Sequence, residues 1–198
     1  ETRLVNIVGT QNIAVATRAV GARLVFSSSS AVYGDQPFGK PIKEDAPLGP
    51  KSPYGEHKLI AESFSDVSLR YFNVFGPRQR SDSPYSGVIA RFVDFKRAGK
   101  PLIIFGDGLQ TRDFVYVDDV ARANLVAMEK AKRGSVYNIG SGVSSAILDI
   151  ANFIGGPIEY KPARIEPHDS LADISKVGLE LCWEPKISLQ EGIRRILL

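Results

Sequence analysis

The chain holds one cysteine, Cys182, and two histidines among its 198 residues. A lone thiol closes no internal disulfide, which fits a reducing compartment. Cys182, His57 and His168 lie too far apart for the spacing of a zinc site, and no metal is expected. No apolar run reaches the roughly 18 residues of a membrane span, and no signal-peptide pattern is present, so the expected location is cytoplasmic. Basic residues number 25 and acidic residues 22, a net charge of +3 with the signs mixed along the chain. Without a block of one sign, neither nucleic acid nor a membrane surface is expected as a partner. The G-x-S-x-G elbow of a serine hydrolase is missing, and His57 sits in the same helical stretch as Tyr54 and Lys58. Internal repeats and low-complexity segments are absent.

What is present suits a soluble α/β protein of one domain, or one domain and a small lobe. Helical and strand-like stretches alternate, the pattern of a parallel sheet with crossover helices. "VGTQNIAVATRAVG" has a helical period and stops at Gly21; "RLVFSS" follows as a buried strand. After a loop rich in Pro and Gly, Pro53 opens the helix "PYGEHKLIAES", and "VSLRYFNV" reads as one strand. "GVIARFVDFKRAG" is an amphipathic helix, with "PLIIF" and "RDFVYV" as strands after it. "DDVARANLVAMEKAK" reads as a helix capped by Asp118 or Asp119, and "SVYNIG" as a strand. "SAILDIANFI" is a short helix, and "SLQEGIRRILL" a last one with a Ser188/Glu191 capping box.

Two features bear on chemistry. A buried strand ends in the hydroxyl run "SSSS", where open α/β sheets bind ligands beyond their carboxyl ends. Tyr54 and Lys58 stand four apart on a helix and share a face. An ammonium beside a phenol favours the phenolate, and a tyrosine so tuned can act as a general base on an alcohol. A nearby serine hydroxyl would position that alcohol.

"FSSSSAVYG", "SPYGEHK", "LRYFNVFGPRQ", "QTRDFVYVDDVA" and "YNIGSG", in this order, resemble the extended short-chain dehydrogenase/reductase family, and within it the NAD-dependent UDP-glucose 4-epimerases. The resemblance implies a Rossmann-like doubly wound parallel sheet, whose N-terminal part is not in this chain, and a smaller C-terminal substrate-binding lobe. Residues 1–77 and 109–141 would belong to the NAD-binding part, and 78–108 and 142–198 to the nucleotide-sugar lobe. It implies NAD as cofactor, a UDP-sugar as substrate and a homodimer through two helices. By the same resemblance Tyr54 is the base on the sugar 4-hydroxyl, Lys58 holds the nicotinamide ribose, and Ser29 is the catalytic serine. Asn6, Ser27, Tyr71 and Phe72 would flank the cofactor, and Asn73 and Arg112 the substrate diphosphate. Phe105 would pack on uracil beside the backbone of Ile103. Ser170 would wall the C2 side of the sugar, small enough to admit an N-acetyl group.

Similar dehydratases carry an Asp-Glu pair just before "VYG", and UDP-glucuronate decarboxylases a glutamate. Here those places hold Ser30 and Ala31, which favours epimerisation by oxidation and re-reduction at C4. Another nucleotide-sugar enzyme of the same superfamily, or an inactive dinucleotide-binding protein, is the alternative. The Tyr54, Lys58 and Ser29 set speaks against the inactive reading.

The sequence also departs from that pattern. A G-x-x-G-x-x-G turn, which brings backbone close to a pyrophosphate, is missing, and so is the acidic residue for the adenosine ribose. "YNIGSGVSSA" has the strand, glycine and helix order but only two of three glycines. The spacing from Lys58 to Arg70 is short, as are the stretches after Gly142 and around "PARIEPHD". The expectation is that ordered segments of a longer natural chain are joined here, which an intact mass would check.

Overall fold

The helical period near the start becomes a π-helix, Leu4–Gly9, that runs into α1, Thr10–Ala19. In the computed structural model, residues 3–37, 39–82, 86–164 and 169–198 are described. The turn after α1 passes through Gly21 at φ 68°, a left-handed value that suits glycine at a helix stop. β1, Val25–Ser29, follows, and Ser29 Oγ accepts from the Ala31 N–H to start a short 3₁₀ turn, Ser30–Val32. α2, Pro53–Glu62, begins as expected on Pro53, with Ser52 Oγ accepting from the Gly55 N–H as its cap.

The single strand expected over "VSLRYFNV" is two. β2, Val67–Tyr71, and β3, Asn73–Phe75, separate at Phe72, because the chain changes partner there. Then come α3, Val88–Arg97, β4, Leu102–Phe105, β5, Thr111–Tyr116, and α4, Val117–Lys130. β6, Ser135–Ile139, is followed by β7, Ser144–Ala146, α5, Ile147–Ile154, and β8, Ile158–Lys161. α6, Ser175–Leu181, and α7, Leu189–Leu197, close the order. β8 and α6 have too few residues to display a period, and sequence patterning did not anticipate them.

Two expected caps are corrected. Tyr116 occupies the N-cap of α4 without a side-chain bond, and Asp118 and Asp119 fall in its first turn. Asp119 turns inward, where Oδ2 accepts from the N–H groups of Lys186 (3.0 Å) and Ile187 (2.9 Å). In α7 half of the capping box forms: Ser188 Oγ accepts from the Glu191 N–H, while the Glu191 carboxylate pairs with Arg195 at 3.0 Å.

β1, β2 and β6 form a parallel sheet in that order, with Ser29 beside Tyr71 and Tyr71 beside Ile139. β3 pairs parallel to β5, and β5 antiparallel to β7; β4 and β8 form a parallel pair. One core gathers Leu69, Val115, Tyr137 and Ile139 under α4 and α6. A second gathers Phe75, Phe92, Ile104, Phe114, Ile150 and Ile193 between α3, α5 and α7. Alternate residues of β5 serve both, Val115 the first and Phe114 and Tyr116 the second, so this strand is the wall between the cores. A cavity that takes walls from both lies beside this strand.

Candidate active site

Ser29 ends β1 and Tyr54 stands in the first turn of α2, while the break between β2 and β3 delivers Tyr71, Phe72 and Asn73 to the same place. All five line a cavity of about 320 Å³, with Ser28, Ser30 and Gln79 among its other walls. A strand that ends where its sheet changes partner places successive residues at one opening, because neither neighbouring strand covers them.

Lys58 stands behind this cavity. Its Nζ donates to the Ser27 carbonyl at 2.8 Å and lies 4.8 Å from the Phe26 ring centroid and 5.7 Å from that of Tyr54. Burial pushes the Lys58 ammonium below the usual lysine range, because the charged form loses water. Tyr71 donates to Asn124 Oδ1 at 2.9 Å, so its oxygen is the acceptor in the 3.1 Å contact with Ser27 Oγ. Ser28, the next residue of β1, donates through Oγ to Glu62 at 2.6 Å.

A second cavity of about 490 Å³ adjoins the first, and Asn73, Gly87 and Phe114 line both. Ile103, Phe105 and Arg112, which the resemblance assigns to the substrate, line it together. Arg112 donates to the Thr111 carbonyl at 2.8 Å. Gly87 is the N-cap of α3, which has no side-chain cap, so the positive end of that helix opens at the neck between the cavities. Arg91, Gln110 and Arg164 also line this cavity and were missed in the sequence. Arg91 had a legible signal: it interrupts the apolar stripe of Val88, Phe92 and Phe95 at helical spacing. Arg164 lies with its guanidinium 3.4 Å from the centroid of the Phe105 ring, which is therefore a stacking surface.

Three of the expected residues take other positions. Asn73 donates through Nδ2 to the Asp113 carbonyl (2.9 Å) and to Ser170 Oγ (3.2 Å). Its Oδ1 is then the atom left for a ligand, an acceptor that suits a hydroxyl better than a phosphate. Ser170 lines neither cavity; it supports Asn73 and accepts weakly from the Asp113 N–H at 3.4 Å. Asn6 lies in the π-helix, where its carbonyl accepts from Thr10 at 2.8 Å, and it lines neither cavity. The "PARIEPHD" stretch lies outside the described residues from 165 to 168.

Sequence reading also missed Asp113. Its carboxylate is fully buried and accepts from Ser141 N (2.6 Å), Ser141 Oγ (2.7 Å), Gly142 N (3.0 Å) and Ala172 N (3.0 Å). Burial pushes its carboxyl above the usual range, and these donors pull it back. Within "NIGSG" the N–H groups of Ser141 and Gly142 go to this aspartate and that of Asn138 to Glu44, so the turn spends on the fold the donors a pyrophosphate would use. Among the described residues no cluster of three or more His, Cys, Asp or Glu could hold a metal, and no helix is long and apolar enough to cross a membrane.

The sequence pattern of the NAD dependent epimerase/dehydratase family matches residues 1–140, and the chain belongs to that family. A putative UDP-glucose 4-epimerase of Methanocaldococcus jannaschii is 38% identical over 212 residues, covering 98% of this chain and 68% of its own length. UDP-glucuronic acid decarboxylase 1 of Arabidopsis thaliana is 36% identical, over 97% of this chain and 48% of its own length. The solved UDP-glucose 4-epimerase of Thermotoga maritima, in complex with UDP-glucose, superposes with a TM-score of 0.91 at 35% identity, covering 98% of this chain and 69% of that one. The fold is the Rossmann-like α/β fold of these enzymes. The chain spans about two thirds of the epimerases and about half of the decarboxylase.

Proposed function

We propose that this chain is the larger part of an NAD-dependent nucleotide-sugar 4-epimerase acting on UDP-glucose and UDP-galactose, and on UDP-N-acetylhexosamines alongside them. One observation carries the reading: Ser29 and Tyr54 share a cavity with Lys58 behind it, and no carboxylate lines that cavity among the described residues. Dehydration must protonate a leaving hydroxyl and remove a second proton, for which paired carboxyls are suited. Of the protein's own groups, epimerisation at C4 needs only a base that takes the hydroxyl proton and returns it, the hydride being the cofactor's share.

In this reading Tyr54 takes the proton of the 4-hydroxyl, and Ser29 holds that hydroxyl in line. Lys58 stabilises the charge left on the tyrosine oxygen. The lysine fits a ribose as well, because an ammonium has three donors and the Ser27 carbonyl takes one. Ser27, Tyr71 and Phe72 complete a wall for the nicotinamide end. NAD, when bound there, supplies the acceptor and donor of a hydride.

The larger cavity suits a nucleoside diphosphate. Arg91, Arg112 and Arg164 give it three cations, with no lining carboxylate among the described residues. Planar guanidinium forks match phosphate oxygens, and Phe105 offers a base its flat face beside the Ile103 backbone. Acceptance of N-acetyl groups rests on the resemblance that singles out Ser170; since Ser170 lines neither cavity, any influence on the sugar would pass through Asn73, which it holds. A homodimer belongs to the same proposal; α1 and α2 leave Ile13, Val15 and Ile60 exposed, and light scattering of the purified protein tests it.

The similarity to the Arabidopsis decarboxylase favours a second reading, decarboxylation of UDP-glucuronate. Product analysis separates the two. Incubation with UDP-glucose is expected to give UDP-galactose; release of a UDP-pentose from UDP-glucuronate, with no hexose epimer, would favour the second.

A further inference from the structure

Tyr54, Lys58 and Glu62 recur every four residues along α2, so a carboxylate stands one turn beyond the lysine on the same face. Lysine and glutamate at this spacing are neighbours on one helix face and within reach of each other. Here they do not pair. Lys58 Nζ donates to the Ser27 carbonyl, and Glu62 turns towards the sheet. Its Oε1 accepts from Ser28 Oγ (2.6 Å) and Arg70 Nε (2.9 Å), and its Oε2 from the second arm of Arg70 at 2.8 Å. The fork is bidentate and nearly dry: the side chains of Arg70 and Glu62 are 4% and 9% exposed.

Arg70 is itself fixed. Its remaining arm donates to Tyr33 Oη (3.0 Å) and to the Glu44 carbonyl (3.1 Å), and Tyr33 donates in turn to Asn138 Oδ1 at 2.6 Å. We infer that Arg70 is a positioning residue for Lys58, holding the Glu62 carboxylate away from the lysine so that the ammonium stays beside Tyr54. The inference rests on the reading of Tyr54 and Lys58 as base and partner. Without Arg70, the buried carboxylate has Lys58 as the nearest cation of its own helix. Pairing would draw Nζ off Ser27 and cancel the charge that assists the tyrosine.

The surroundings leave Glu62 in that role. β1, the Ser30–Val32 turn and the Leu4–Gly9 helix pack against α2 and bring no charged side chain. α2 adds only Glu56, exposed on another face, and His57; Tyr71 of β2 reaches Ser27 from beyond. Partial burial of Lys58 adds to the effect, since a half-buried charge is screened less than an exposed one.

The test is the pH profile of kcat for the intact natural protein. Arg70→Met is expected to move the acid limb upward by about one pH unit, with KM within about threefold of wild type. Glu62→Gln combined with Arg70→Met removes the carboxylate as well and should return the limb to within about 0.3 unit of wild type. Arg70→Lys keeps the charge but not the fork and should fall between, by about half a unit; it decides the matter if Arg70→Met does not fold. A lower melting temperature with an unmoved limb in Arg70→Met or Arg70→Lys would overturn the inference, as would a double variant shifted as far as the single. Activity in Tyr54→Phe would instead bring down the base assignment itself, a separate outcome.

Discussion

At the scale of single residues, the proposed chemistry turns on the hydroxyl of Tyr54. Tyr54→Phe removes one oxygen from a half-buried side chain and leaves α2 intact, so the expected result is a folded protein with kcat lower by at least ~100-fold. Near-normal turnover with UDP-glucose would refute the role. Lys58 supplies a pH signature. Because burial lowers its pKa, the lysine loses its proton at a lower pH than an ordinary lysine, and activity should fall on the alkaline side in that window. Lys58→Met should abolish this alkaline limb and move the acid limb upward, since the cation beside the base is gone. A profile identical to wild type would take the lysine out of the mechanism. The shared face of Tyr54 and Lys58 and the hydroxyls at a strand end were legible in sequence because helical spacing and a strand end are local facts, while the choice of Ser29 within the run came from the resemblance. Glu62, Arg70 and Asp113 were not, although each is buried and fully engaged. Their partners lie far off along the chain, and nothing in the neighbouring sequence marks which charged residue is turned inward.

At the scale of elements, the cleft depends on how closely α2 sits on the end of β1. Gly55 follows Tyr54, and a Cβ there would meet the Ala31 carbonyl oxygen at 2.6 Å and Pro50 at 3.0 Å. The missing side chain is what lets the first helical turn approach the serine strand. Gly55→Ala should lift that turn, at a cost of about 1–3 kcal/mol for overpacking, and reduce kcat by about tenfold or more. Unchanged kcat in the alanine variant would mean that the spacing of Tyr54 from Ser29 is not set there. Element types read well from sequence where a period runs over three turns, as in α3 and α4. The β2 and β3 break was invisible because "VSLRYFNV" is uniformly strand-like, and the switch of partner at Phe72 is a tertiary event. The aspartates expected as caps of α4 failed for a related reason: Asp119 is worth more to the fold as the acceptor for Lys186 and Ile187 than at a cap.

At the scale of the whole molecule, two cores share β5; the smaller cavity takes walls from both, and the larger is walled by the core of α3, α5 and α7 alone. The charges are divided between the cavities. Three arginines line the larger cavity, and hydroxyl, amide and aromatic groups line the smaller one, an arrangement matched to a molecule with an anionic middle and a neutral reacting end. That polarity could be expected only in outline from sequence, since Arg91 and Arg164 come from elements distant from Arg112. The central claim is that the C4 hydrogen leaves and returns without exchange with water while Tyr54 handles only the hydroxyl proton. Proton NMR of UDP-glucose incubated with the intact protein in D₂O tests this most directly. The account predicts UDP-galactose that keeps protium at C4; deuterium at that carbon, or a product other than the epimer, would contradict it.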